Sequence, residues 1–231
     1  ASSFDRTIEP PYGENPDVKV PDVWEGSLEN GMQVFGIENN ELPLVQFTIE
    51  IEGGLLLENT SKTGVSNLMA DLMTRGTANK TPEQLEEAIN ELGASINVNA
   101  GRQTITITGN ALARNYGKTL DLVEEIILEP RWDDTEFELA KQSTLSQIAQ
   151  QSANPNSIAS NAYNKLLYGE DHILSYNSIG TTSSVESITI QDLKDYYNAN
   201  FSPSVADFMI VGSISKTEVM SSLTDLEAKW E

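Results

Sequence analysis

Between residues 45 and 73 the spacing of apolar side chains changes period, and this constrains the fold more than any other feature. Val45, Phe47, Ile49 and Ile51 recur at every second position, as in a strand with one buried face. After Gly53 and Gly54, the residues Val65, Leu68, Met69, Leu72 and Met73 recur at i, i+3, i+4, i+7 and i+8, as in an amphipathic helix. A chain with both patterns in immediate succession is neither all-α nor all-β. The helical spacing also puts Asn67, Ala70, Asp71 and Thr74 together on the opposite face of that helix.

The same reading extends along the chain. A turn at Asn30 and Gly31 joins strand-like runs at 23–29 and 32–39. Thr81, Pro82 and Gln84 form a capping-box signal that opens a helix running to Gly93. Residues 94–100 and 103–109 alternate around Gly101 and Arg102, which predicts an antiparallel hairpin. Helical patterns follow at 112–128, 133–151 and 156–167, with Asp133 and Asp134 placed to complement a helix dipole. A short helical turn at 183–187 precedes a helix capped by Thr189, a strand at 205–211 and a helix at 215–229. Hairpins and consecutive helices, without regular β-α-β alternation, predict an α+β fold: a largely antiparallel sheet with helices stacked on one face. Residues 1–22 carry Pro10, Pro11, Pro16 and Pro21 and read as an extended leader or interdomain linker. Residues 23–231 read as one domain.

Charge and residue counts exclude several functions. Fourteen basic residues stand against 35 acidic ones, a net charge of −21, so nucleic acid and anionic membranes are not expected partners. A wall this acidic could instead concentrate basic peptides. No apolar run approaches the ~20 residues needed to cross a bilayer, so membrane insertion is not expected. The chain starts without Met or a signal-like segment, the expectation for a processed or excised piece. Cysteine is absent, which removes disulfides, thiolate metal sites and Cys nucleophiles. The only histidine, His172, lies in a turn-like run and reads as a turn residue, so no site needing two imidazoles can be built.

Several segments, in order, carry a family resemblance. They are the strand opening at Asn30, the glycine pair Gly53 and Gly54, and the helix at 64–77 ending in Arg75, Gly76 and Thr77. Leu92, Gly93 and Ala94 before alternating strands, the helix at 137–148, and Leu167, Tyr168 and Gly169 follow. The helix holding Thr189, Asp192, Leu193, Tyr196 and Tyr197, then Phe201 and Pro203 leading to Val211 and Gly212, complete the series. Together they resemble the insulinase/pitrilysin family of zinc peptidases, which includes mitochondrial processing peptidase. In that family a His-x-x-Glu-His helix holds zinc and activates water. The resemblance puts Asn67, Ala70 and Asp71 at those three places. It puts Gln147 at the downstream Glu ligand and Ala140 at an assisting Glu.

The resemblance thus implies a peptidase-like domain with no catalytic, metal or cofactor residues of its own. Zinc is expected only in a partner domain. Family members pair such domains into a chamber around an extended peptide, and the expected role is to enclose and position that peptide. A sheet edge at 94–100 or 103–109 could align it. The expected partners are catalytic and other domains of the same family, in the same or a partner chain, together with peptide substrate. Family analogy implies a periplasmic or secreted bacterial location, and an isolated domain would expose a face normally covered. Two other classes stay open: a stand-alone interaction or assembly subunit reusing the fold, and an active metalloendopeptidase with an unusual metal site.

Overall fold

The computed structural model describes residues 20–230, together with Thr7 and Gly13. The leader expected over 1–22 therefore falls largely outside the described residues. Six strands are present among them: β1 (Trp24–Ser27), β2 (Gln33–Glu38), β3 (Leu44–Glu52), β4 (Ser95–Ala100), β5 (Thr104–Leu112) and β6 (Ala206–Gly212). They form one sheet in the order β1-β2-β6-β3-β5-β4, antiparallel at every junction except β2 with β6. Nine α-helices accompany it among the described residues: α1 (Val65–Met73), α2 (Pro82–Glu91), α3 (Tyr116–Leu128), α4 (Asp134–Ser152), α5 (Pro155–Tyr168), α6 (Thr182–Ser187), α7 (Ile190–Asn200), α8 (Lys216–Ser222) and α9 (Thr224–Lys229). This is the mixed α+β architecture expected from the sequence.

The period-2 pattern decides which face of the sheet is buried. Val45, Phe47, Ile49 and Ile51 of β3 join Ile105 and Ile107 of β5 and Phe208 and Ile210 of β6 in the core. Leu68, Met69, Leu72 and Met73 of α1 and Val123, Ile126 and Ile127 of α3 close over that face. Phe47 stacks on Phe208 at 5.6 Å and meets Tyr116 edge-on at 5.6 Å. A Cβ at Gly109, paired with Phe47 across β3 and β5, would stand 2.3 Å from the Phe47 ring, so this ring requires a glycine opposite it. The other face carries Gln46, Thr48, Glu50, Thr106 and Thr108, with Met209 and Val211 exposed beside them.

Two element boundaries differ from the sequence reading. The helix expected from Leu112 starts at Tyr116, because Leu112 pairs with Leu44 and the alternation of β5 runs on through buried Ala111. The helix expected over 215–229 is two, α8 and α9, hinged at buried Leu223.

Candidate functional site: the cleft between α1, β4 and α4

Helix α1 is anchored at its start. Gly64 takes φ of 100°, a left-handed conformation, and a Cβ there would lie 2.8 Å from the Ile179 carbonyl oxygen. The buried Glu58 carboxylate accepts from the Gly64 N–H at 2.7 Å, the Ser66 N–H at 2.8 Å and the Ser66 hydroxyl. It thereby satisfies donors that no carbonyl within the helix can reach. Burial pushes the Glu58 carboxyl above its ordinary value, against the pull of these hydrogen bonds. Nearby, the Thr63 hydroxyl donates to Ser184 Oγ at 3.0 Å, and the Tyr196 hydroxyl donates to the Gly54 carbonyl at 3.0 Å.

Helix α4 faces α1 across the cleft. Asp133 caps it, accepting from the Thr135 N–H at 2.9 Å and the Glu136 N–H at 3.1 Å. Those N–H groups hold its carboxyl below the usual carboxylate range. Lys141 ties α4 to the C-terminal end of α6 by donating to the Glu186 and Ile188 carbonyls, each at 2.8 Å.

Between these helices lies a cleft of about 370 Å³. Its lining comprises Asn67, Ala70, Asp71, Thr74 and Arg75 from α1 and the turn after it, residues 96–100 of β4, and Ser143, Thr144 and Gln147 of α4. Four of the five positions singled out in the sequence (Asn67, Ala70, Asp71 and Gln147) therefore meet at one place. The fifth, Ala140, is fully buried in the core and does not line the cleft; Thr144, one turn further along α4, does. The β4 side of the cleft is a sheet edge, since β4 pairs only with β5 among the described strands.

Arg75 was read in the sequence only as part of the end of the helix, not as a cleft residue. Its guanidinium donates to both Asp71 oxygens, at 3.2 and 3.3 Å, and to Glu136 of α4 at 3.3 Å. Burial alone would lower its pKa; the two carboxylates outweigh that and hold it above its ordinary value. The i, i+4 spacing of Asp71 and Arg75 was a usable signal, whereas Glu136 arrives only through the fold.

The residues present do not fit zinc. Structural and catalytic zinc sites draw on imidazole, thiolate and carboxylate donors. Here two donors are neutral amides, Asn67 and Gln147, and the single carboxylate, Asp71, is already engaged by Arg75. Among the described residues there is no group of three or more His, Cys, Asp or Glu side chains placed to hold a metal ion. The lone imidazole lies elsewhere: His172 Nδ1 accepts from the Leu174 N–H at 3.2 Å and the ring stacks on Tyr168, the turn role expected of it. Asp71 is also the only carboxylate lining the cleft, so the acidity of the chain is not concentrated there.

The chain belongs to the insulinase family, peptidase family M16, whose family model matches residues 34–174. A solved structure from Pseudomonas fluorescens, described as a peptidase M16 inactive domain, superimposes with a TM-score of 0.84. It is 23% identical and covers 90% of this chain and 51% of its own. The periplasmic protease PqqL from Escherichia coli superimposes with a TM-score of 0.81 at 17% identity, over 93% of this chain and 25% of its own. Among curated relatives, an uncharacterised zinc protease of Bacillus subtilis, YmxG, is 22% identical over 88% of this chain. The chain spans about half the length of the curated relatives it matches, 47% and 48% for two of them. Related proteins thus carry a further region of comparable size. No described helix is long and apolar enough to cross a membrane.

Proposed function

We propose that this chain is a non-catalytic domain of an M16 peptidase, which holds an extended peptide along β4 and helps enclose it for a metal-bearing partner domain. The observation that carries this reading is the lining of the cleft. A sheet edge unpaired among the described residues runs beside the metal-helix face, where neutral amides and an Arg-bound carboxylate stand in place of a donor set. Main-chain pairing at such an edge gives affinity without reactive side chains. Zinc, in this reading, belongs to the partner domain, and the whole protein works in the periplasm or outside the cell.

The neutral lining selects the peptide by its backbone rather than its charge. Residues 92–120, which include β4 and β5, hold no Asp or Glu. Binding of a fluorescent, uncharged extended peptide is therefore expected to persist in a chelator and in about 0.5 M salt, where surface ion pairs are screened. Ser143→Trp, which fills the cleft from α4, is expected to abolish it. Chelator-sensitive cleavage of the peptide by this chain alone would overturn the non-catalytic reading. Binding that Ser143→Trp leaves intact would move the peptide away from β4.

A further inference from the structure

Strand β4 alternates along the edge that no described strand covers. Ile96, Val98 and Ala100 are buried or half-buried on the helix side, whereas Ser95, Asn97 and Asn99 are exposed. A peptide paired along that edge continues the pleat, so every second side chain of it falls on the helix side, at steps of about 7 Å. Over residues 96–100 those side chains meet the polar cleft. Over residues 94–96 the lining changes character.

A second hollow, also of about 370 Å³, opens there between β4, α2 and α3. Its lining is mostly aliphatic: Pro82, Leu85 and Ile89 of α2, Ile126 of α3, and Ala94 and Ile96 around the start of β4. Leu85 and Ile126 are buried, and Ile89 and Ile96 are half-buried. The two hollows adjoin, since Thr74, Arg75 and Ile96 line both. Where they meet, the charges are already paired. The Arg75 guanidinium donates to Asp71 and to Glu136, so it stands free for no acidic side chain and they for no basic one. Glu86, the remaining charged residue of the second lining, is exposed to water, where an ion pair contributes little.

We propose that this second hollow is a side-chain subsite of the peptide groove, taking one uncharged aliphatic side chain from a peptide held along β4. The inference rests on the reading of the cleft as a peptide groove and adds a substrate class to it: extended segments with an aliphatic residue at one position and uncharged polar residues at the next positions on the same face. Main-chain pairing is blind to sequence, and pockets for alternate side chains are what give strand addition its specificity. A concavity in register with a strand edge suits a chain laid along that edge. A folded domain docking here would have to fill the polar cleft beside it as well.

Fluorescence anisotropy with the 231-residue chain tests this. The probes are short peptides of serine and threonine that differ only at the central residue: leucine, serine, lysine or glutamate. The leucine peptide is expected to bind at least about tenfold more tightly than the serine peptide, the low end of what burying such a side chain gives. It should keep that lead in about 0.5 M salt, where a preference founded on charge would fade. Asn90→Trp, at an exposed position of α2, fills the hollow and is expected to erase the lead while the serine peptide binds as before. A leucine peptide no tighter than serine, a lysine or glutamate peptide tighter than leucine, or a lead that survives Asn90→Trp would each overturn the subsite and leave the groove standing. No binding by any of the peptides would sink the groove and the subsite together.

Discussion

At its N-terminal end α1 is held by the buried Glu58 carboxylate, which takes three hydrogen bonds from Gly64 and Ser66. From Asn67 onward the same helix offers the cleft an amide, a methyl group and a carboxylate already bound to Arg75. One end keeps a satisfied buried network, of the kind that rigidifies its surroundings. The other presents to the cleft no imidazole and a carboxylate engaged by Arg75. The difference shows that positioning and chemistry on one helix are separable. The Glu58 anchor starts the helix from within the core, whereas Asn67, Ala70 and Asp71 line the cleft.

The strongest way to sharpen this contrast is to install a zinc donor set on this frame. The triple variant Asn67→His, Asp71→His and Gln147→Glu supplies two imidazoles and a carboxylate and frees Arg75 to pair with Glu136 alone. Zinc binding at micromolar Kd or better, about 8 kcal/mol, is expected by calorimetry. Failure to bind would show that α1 and α4 no longer hold ligand geometry, and the comparison would break. Next in size is the anchor itself. Glu58→Ala leaves buried N–H groups unpaired and is expected to cost about 3 kcal/mol in urea denaturation. Asn67→Ala at the other end should cost less than about 0.5 kcal/mol. Equal costs would mean that the two ends are not differently built.

An effect smaller than that of the Glu58 anchor lies away from α1 and follows pH. Burial, with Asp121 and Asp225 adding repulsion and Lys229 opposing it, pushes the Glu124 carboxyl up to about 7. The folded state therefore keeps this proton to a higher pH than the unfolded chain does, and stability falls as pH rises from 4.5 to about 7. Glu124→Gln is expected to stabilise by about 1 kcal/mol at pH 8, discounted for water reaching the carboxyl, and to be neutral at pH 4. A gain that persists at pH 4 would assign the effect to packing instead of charge.

Much of this was legible in the sequence, for identifiable reasons. The alternation of β3, the capping box at Thr81 and the helical stripe of α1 are local patterns, and the structure reproduces them. The meeting of Asn67, Ala70, Asp71 and Gln147 was legible only through the family resemblance, because α1 and α4 are joined by no local signal. Ala140 was read as part of that set and is instead core, since at that turn α4 faces the interior and not the cleft. Leu112 read as helical because apolar residues on both sides suit either period; its pairing with Leu44 is non-local and decided the matter. The exposure of Ile158, Leu166 and Leu167 on α5 was invisible because periodicity identifies an apolar face without saying which way it turns.

The place of β6 between β2 and β3 has a consequence for how the chain assembles. Residues 33–52 leave the ribosome with the neighbouring edges of two strands bare, and the segment that zips them together, 206–212, emerges only after α1 to α7 have been made. Until then the half-built sheet is split, with Phe47 lacking the ring it stacks on. Closure at such sequence separation is slow and leaves sticky edges in the meantime. Truncation before Ala206 should therefore yield an aggregate rather than a smaller folded domain.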